Sequence, residues 1–392
     1  MDSDLPPEGV VTASDDTALT IEEALNRPDP STEPAPPVDD AGEEMPGTVP
    51  QAAHDYSGIR WPEADRAPDY AWIAGLATPA VFDLTAETIE ALLRLNRYVP
   101  SRETEVIAFA LRGASLVSGH SATKAGSVAI KVTEPDHRNF RCVIGFYFHG
   151  ERKLSAFTGS TVPCRKAVFG SKHGGDPSNM LLTGMYSYYV WRHKTLTPAL
   201  RLAKSKADLE SGAEATVLRN SADLMLDTAD VFDPSTPLDN IHCSYLLGES
   251  SDLGAQFSSW GCLTVRGTKA PSDEWKMFQK VLSGVGLKSR VDLMLTTGKE
   301  AAIVVDSGNN PENIEEKLGA LRQGSRGEEV KRVQVKLGID ASGFWGPITA
   351  DKFTARQRAL NQAAGKGRVA DGIYGRSSDA LTGWKVFAGA SA

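Results

Sequence analysis

The stretch Asn240-Ile241-His242-Cys243-Ser244, then a Gly- and Ser-containing loop, then Ser258-Ser259-Trp260-Gly261-Cys262-Leu263-Thr264-Val265-Arg266, decides how this chain is read. Its two ends are β-type runs joined by a 15-residue loop, 244–258. A thiol becomes a good nucleophile when a neighbouring imidazole takes its proton or stabilises the thiolate. Adjacent strands would bring His242 and Cys262 together. Small residues before Cys262 leave room for an acyl group, and the Gly261 and Cys262 amides are candidate oxyanion donors. The same residues also fit a buried strand cysteine beside a satisfied histidine. A Cys243–Cys262 disulfide is a further expectation, and it would block the nucleophile.

Outward from this segment, short β-type runs recur at Val106–Leu111, Ser127–Val132, Arg141–Phe148, Met185–Trp191 and Thr216–Leu218. Gly, Pro, Asn and Asp separate them, which predicts a sandwich or barrel. Two more runs, Val291–Leu295 and Ala301–Val305, are read as strands. Helices are predicted over 85–97, capped by Thr85, and over 273–283, capped by Ser272. His193, just past the strand 183–190, is placed near the same cleft. His137, His149 and His173 fall in predicted turns and are expected to be solvated. Cys142 and Cys164 are expected to be structural thiols.

The net charge of −8 is unevenly spread. Residues 1–50 carry 13 acidic side chains, one basic side chain (Arg27) and 9 of the 22 prolines. Residues 1–55 therefore read as a disordered tail. Its one helical signal is a capping box from Thr20 to Glu23. No apolar run approaches the roughly 18–20 residues of a membrane helix, and the acidic start does not resemble a secretory signal. The absence of Cys-x-x-Cys spacing argues against a structural zinc site, and no other metal or cofactor is implied. Without a basic run there is no electrostatic footprint for nucleic acid.

Ser307-Gly308-Asn309-Asn310-Pro311 reads as the start of a linker, 307–317. Beyond it, residues 318–388 carry 12 basic and 6 acidic side chains, and three helices are predicted, 327–337, 348–363 and 376–385. Two elements resemble each other there: Asp340-Ala341-Ser342-Gly343-Phe344-Trp345-Gly346-Pro347 and Asp371-Gly372-Ile373-Tyr374-Gly375-Arg376. Each places a glycine turn and an aromatic before a helix start.

Leu321-Arg322-Gln323-Gly324-Ser325-Arg326-Gly327-Glu328-Glu329-Val330, with Gln334, Leu337 and the two glycine–aromatic elements, resembles the three-helix peptidoglycan-binding domain family. That resemblance implies a wall-binding module over 318–388. Phe344 and Tyr374 are candidate ligand contacts more readily explained as core, and Trp345 is the first candidate for a surface contact. The displaced glutamine in Lys352-Phe353-Thr354-Ala355-Arg356-Gln357 departs from the family pattern.

The 240–266 segment resembles the L,D-transpeptidase catalytic family, which sets a histidine on one strand and a Ser-His-Gly-Cys motif on a later one. Here Cys262 lies 20 residues after His242. Leu181-Leu182-Thr183-Gly184-Met185-Tyr186 resembles the family's Pro-Thr-Gly-Tyr strand opening. The resemblance implies a mainly β, sandwich-type catalytic domain with flanking helices over 56–306, beginning with a helical lead-in. It implies Cys262 as nucleophile, His242 as base and then acid, the Cys243 carbonyl as its orienter, and Ser259 and Gly261 as shapers of the turn. Trp260, His193 and Tyr186 are candidate substrate contacts. Trp260 replaces the motif histidine and Thr264 stands where an arginine is usual; Arg266 is a weak substitute.

Together these features point to a peptidoglycan-directed cysteine acyltransferase or peptidase. The alternatives are a degenerate enzyme, or a non-catalytic wall-binding or structural component of a phage tail or contractile injection particle, docked through the acidic tail. Such a protein would be made in the cytoplasm and reach the wall by lysis or particle delivery.

Overall fold

The structure is a computed structural model that describes residues 60–61, 67–119, 121–172, 178–220, 223–245, 255–268, 273–363 and 370–387. The acidic tail with its Thr20–Glu23 capping box, His54, His120, His173 and the Ser272 cap lie outside these residues.

The chain is mainly β. Its first strands are β1 (Val81–Thr85), β2 (Val106–Arg112), β3 (Ala114–Leu116), β4 (Ala122–Ala125), β5 (Ser127–Val132), β6 (Cys142–Phe148) and β7 (Lys153–Ser160). They are followed by β8 (Asn179–Leu181), β9 (Gly184–His193), β10 (Leu196–Leu202), β11 (Ala215–Arg219) and β12 (Val231–Ser235). The last three are β13 (Ile241–Cys243), β14 (Leu263–Val265) and β15 (Arg290–Thr297). Besides a single helical turn at Pro68–Ala71, the helices of this part are α1 (Ala86–Leu95), α2 (Arg165–Lys172), α3 (Asp273–Val285), α4 (Gly298–Asp306) and α5 (Pro311–Leu318). Among the described residues, no helix is long and apolar enough to cross a membrane.

Nine strands pair in the order β14-β13-β10-β9-β15-β2-β6-β7-β4, and a further β14–β7 pairing closes the first eight into a barrel. The spacing of β-runs predicts a sandwich or barrel, and the extra pairing makes it a barrel rather than the sandwich that the family resemblance implies. Gly159 permits it, because a Cβ there would sit 2.5 Å from the Thr264 carbonyl oxygen. β13–β14 and β15–β2 are parallel, and the other barrel pairs are antiparallel.

All eight barrel strands feed one apolar cluster, with Ala108, Phe146, Phe157, Val190, Leu200, Ile241, Leu263 and Leu293 inside. Trp275, Phe278 and Leu282 of α3 join it. The opposite face of β2 and β6 is buried too, by α1, α4, α5 and the small β1-β5-β3 sheet. A strand buried on both faces reads as an unbroken apolar run, as Val106–Leu111 does.

Two expectations change. Ala301–Val305 lies in α4, not a strand. Thr297 and Glu300 form a capping box that starts this helix, and Ala301, Ala302 and Val304 are its buried face. The 307–317 stretch is not an extended connection. Asn310 caps α5 by accepting from the Glu312 amide, Pro311 opens it, and Ile314 and Leu318 enter the outer core.

The C-terminal region contains α6 (Glu328–Leu337), α7 (Pro347–Ala363) and α8 (Arg376–Thr382), with β16 (Ala320–Leu321) paired to β17 (Tyr374–Gly375). The repeated element has a structural counterpart. Gln334 accepts from the Gly343 amide (2.8 Å) and donates to the Phe344 carbonyl (2.9 Å). Gln357 accepts from the Gly372 amide (2.9 Å) and donates to the Ile373 carbonyl (3.3 Å). Gly343 and Gly372 have φ of +73° and +70°, where a side chain would be strained.

This region is fastened to the barrel by buried charge. Arg322, 1% exposed, donates to Asn96 Oδ1 (3.0 and 2.7 Å), to Thr183 Oγ1 (2.8 Å) and to the Glu300 carboxylate. Asp69 accepts from the Thr183 amide and pairs with buried Arg112 at 3.4 Å. Alongside, Gly184 and Gly324 let two loops interlock, and the Met185 amide donates to the Gln323 carbonyl at 2.9 Å.

Breaking a buried pair leaves an uncompensated charge. Arg322→Met is expected to lower stability in urea denaturation by about 3–5 kcal/mol. Adding Glu300→Gln, which removes the unpaired charge and keeps an oxygen for the α4 cap, should restore part of that loss. A single variant as stable as the parent would contradict the role given to this pair.

Candidate functional site

β13 and β14 run side by side with Ile241 opposite Leu263, His242 opposite Thr264 and Cys243 opposite Val265. Side chains alternate along a strand. Ile241, Cys243, Leu263 and Val265 therefore point into the barrel, where they join its core. His242, Thr264 and, two residues back, Cys262 take the outward face. Strand spacing sets the diagonal His242–Cys262 Cα separation at about 8 Å. Since Cys243 and Cys262 face opposite sides, they are not bridged; all four cysteines are free thiols.

The His242 ring is fully buried, and its Nδ1 lies 2.6 Å from the Cys243 carbonyl oxygen. A carbonyl only accepts, so Nδ1 must carry the proton. In its neutral form the ring then has its lone pair at Nε2. His193, from the end of β9, stacks on this ring with centroids 4.2 Å apart and planes 8° from parallel. Tyr245 covers it at 4.9 Å.

Cys262 is 7% exposed. Its Sγ accepts from the Asn240 amide at 3.3 Å and lies 3.7 Å from the Leu238 carbonyl oxygen. The turn before it is built by Ser259, whose hydroxyl donates to the Cys262 carbonyl (2.6 Å) and accepts from the Gly261 amide (3.1 Å). The Gly261 amide is thus engaged within the turn, which corrects its expected role as an oxyanion donor. Gly261 packs on Asn179, where an added Cβ would meet the side-chain amide at 2.4 Å. Asn179 in turn donates to Asp239 at 2.7 Å, fixing the approach to β13.

Arg201 was not singled out from sequence. Leu200 pairs with Ile241, so Arg201 lies beside Asn240 on the outward face. Its guanidinium donates to the Leu209 (3.0 Å) and Glu210 (2.6 Å) carbonyls. Burial pushes its pKa down, and negative charge on nearby Cys262 would work against that. The only sequence trace is alternation in Leu200-Arg201-Leu202. Asn240 was likewise overlooked as a site residue.

Other candidates lie elsewhere. Tyr186 is inside the barrel, its hydroxyl donating to the Leu182 carbonyl at 2.7 Å. Arg266 lies 3.6 Å from the Glu274 carboxylate of α3. Trp260 is half-buried against the cluster containing Phe140 and Phe257. Trp345, expected at the surface, is fully buried against Phe353, whereas Phe344 is half-buried under the Arg326 guanidinium. Tyr374 is core, stacked on Trp384. His137 is also buried, contrary to expectation, with Nδ1 2.7 Å from the Pro163 carbonyl oxygen. His149 is half-buried beside the Thr104 carbonyl. Burial pushes the Cys142 thiol up to about 12, leaving it protonated and inert. A groove of about 840 Å³, lined by Val106, Phe148, Met277 and Val281 among others, contains none of the Cys262 site residues.

No protein-family model matches the chain, and no curated protein or solved structure shows significant similarity to it.

Gly261→Ala forces its methyl into the Asn179 amide and is expected to cost about 1–3 kcal/mol in thermal denaturation. Asn179→Ala should recover part of that loss in the double variant. An unchanged melting temperature for Gly261→Ala would show that the turn is looser than described.

Proposed function

We propose that the outward face of β13 and β14 is the active site of a cysteine acyl-transfer enzyme acting on peptidoglycan stem peptides. The carrying observation is the His242 tautomer: Nδ1–H held on the Cys243 carbonyl, leaving Nε2 as the base, on the same sheet face as Cys262. The choice of substrate rests on the resemblance of 240–266 to L,D-transpeptidases and of 318–388 to peptidoglycan-binding domains.

In this reading His242 Nε2 takes the Cys262 proton, and the sulfur attacks a stem-peptide carbonyl carbon. The Asn240 amide steadies the thiolate. As the tetrahedral adduct collapses, the carbon–nitrogen bond breaks and His242 returns the proton to the leaving amine. The thioester is then resolved by an acceptor amine, giving a cross-link, or by water, giving cleavage. Protein made in the cytoplasm would reach its wall by lysis or by particle delivery.

A second reading also has an observation behind it. The near-complete burial of Cys262 and His242, with the Gly261 amide engaged by Ser259, favours a non-catalytic wall-binding or structural component of a phage tail or contractile injection particle. In that case the acidic tail would dock to particle proteins.

Purified sacculi separate the two. The full chain is expected to change the muropeptide profile, Cys262→Ala to abolish the change, and His242→Ala to slow it by about 10²–10⁴-fold. Co-sedimentation with sacculi that leaves every muropeptide unaltered would favour the binding role and overturn catalysis.

A further inference from the structure

Every polar group of Asn240 is committed. Its amide donates to Cys262 Sγ (3.3 Å), and its carbonyl accepts from the Leu263 amide (2.9 Å). Its side-chain Oδ1 accepts from the Leu202 amide (3.2 Å), while Nδ2 lies 2.9 Å from His193 Nδ1. The Leu202 amide can only donate, which fixes which end of the Asn240 side chain is oxygen. Nδ2 therefore donates to His193, and His193 Nδ1 must be the bare nitrogen. A proton on that nitrogen would set N–H against N–H. Turning the Asn240 amide over would set its NH₂ against the Leu202 N–H instead. Either change places two donors face to face in a buried site.

We propose that His193 is a positioning residue for His242, held neutral as its Nε2–H tautomer by Asn240, so that an uncharged ring face supports the imidazole that takes the Cys262 proton. This rests on Cys262 and His242 being the reacting pair. The two rings carry opposite tautomers: His242 is protonated at Nδ1 by its carbonyl partner, and His193 at Nε2 by exclusion. When the thiol proton moves to His242 Nε2, the new imidazolium lies 4.2 Å from a neutral ring rather than a second cation. The stacking also holds the His242 plane in which Nδ1 reaches the Cys243 carbonyl. Asn240 thereby links both members of the pair, the sulfur through its backbone and the histidine through His193.

Two measurements on the full chain test this. In ¹⁵N spectra of histidine-labelled protein at neutral pH, His193 should be the Nε2–H tautomer and His242 the Nδ1–H tautomer. A proton on His193 Nδ1 would overturn the proposal without any variant. Alkylation of Cys262 by iodoacetamide at pH 7, followed by peptide mass spectrometry, supplies the second readout. His193→Phe keeps a stacked neutral ring and should retain more of the parent rate than His193→Ala, which should be slower by about tenfold as the His242 ring loses its support. A parent rate for His193→Ala, with His242→Ala slowed, would overturn the positioning role alone. A parent rate for His242→Ala would overturn the reacting pair and this inference with it.

Discussion

The parallel pairing of β13 with β14 is the constraint on which the site and the barrel both depend. Each strand has only three residues, yet β14 also pairs with β7 and so closes the ring. The same register puts His242 and Cys262 on one face. Because side chains alternate with a period of two, a slip of one residue would turn Cys262 into the barrel and bring Leu263 outside. The inward set Ile241, Cys243, Leu263 and Val265 opposes that slip, since exposing it would forfeit much of the local core. Core packing thus enforces the geometry of the polar face.

A second constraint acts at the other end of β9. That strand starts at Gly184, where Arg322, Thr183 and the Gln323–Gly324 loop join the C-terminal helices to the barrel, and it ends at His193, stacked on His242. Buried ion pairs such as Arg322–Glu300 add little net stability over an apolar replacement, but they penalise every arrangement in which one partner is missing. The C-terminal region is therefore held in one arrangement against the barrel, with α5 packed within the stretch read as a linker.

Much of this could be read from the sequence, and what could not has physical reasons. That His242 and Cys262 belong to neighbouring strand segments could be read because short-range alternation and a small-residue turn are local. The Cys243 carbonyl was readable because it is one residue from the ring it orients. Arg201 and Asn240 were missed because their roles come from strand pairing across distant segments, which no local period encodes. Closure into a barrel hinged on one further strand pairing and on Gly159, a single missing Cβ. Ala301–Val305 looked like a strand because five small or branched residues in a row suit either element; the Thr297–Glu300 capping box was the decisive sign. Trp345 was misplaced because two adjacent aromatics, Phe344 and Trp345, offer no period to say which one turns inward. The larger ring took the core.

The central claim is that Cys262 carries an acyl group. Its most direct test is acid-quenched peptide mass spectrometry of the full chain mixed with a soluble disaccharide–stem-peptide fragment. Catalysis requires an added mass equal to the acyl portion of the stem peptide on the Cys262 peptide, lost in Cys262→Ala and prolonged when acceptor amines are withheld. An unmodified Cys262 beside intact fragment, with the chain still sedimenting with sacculi, would contradict it.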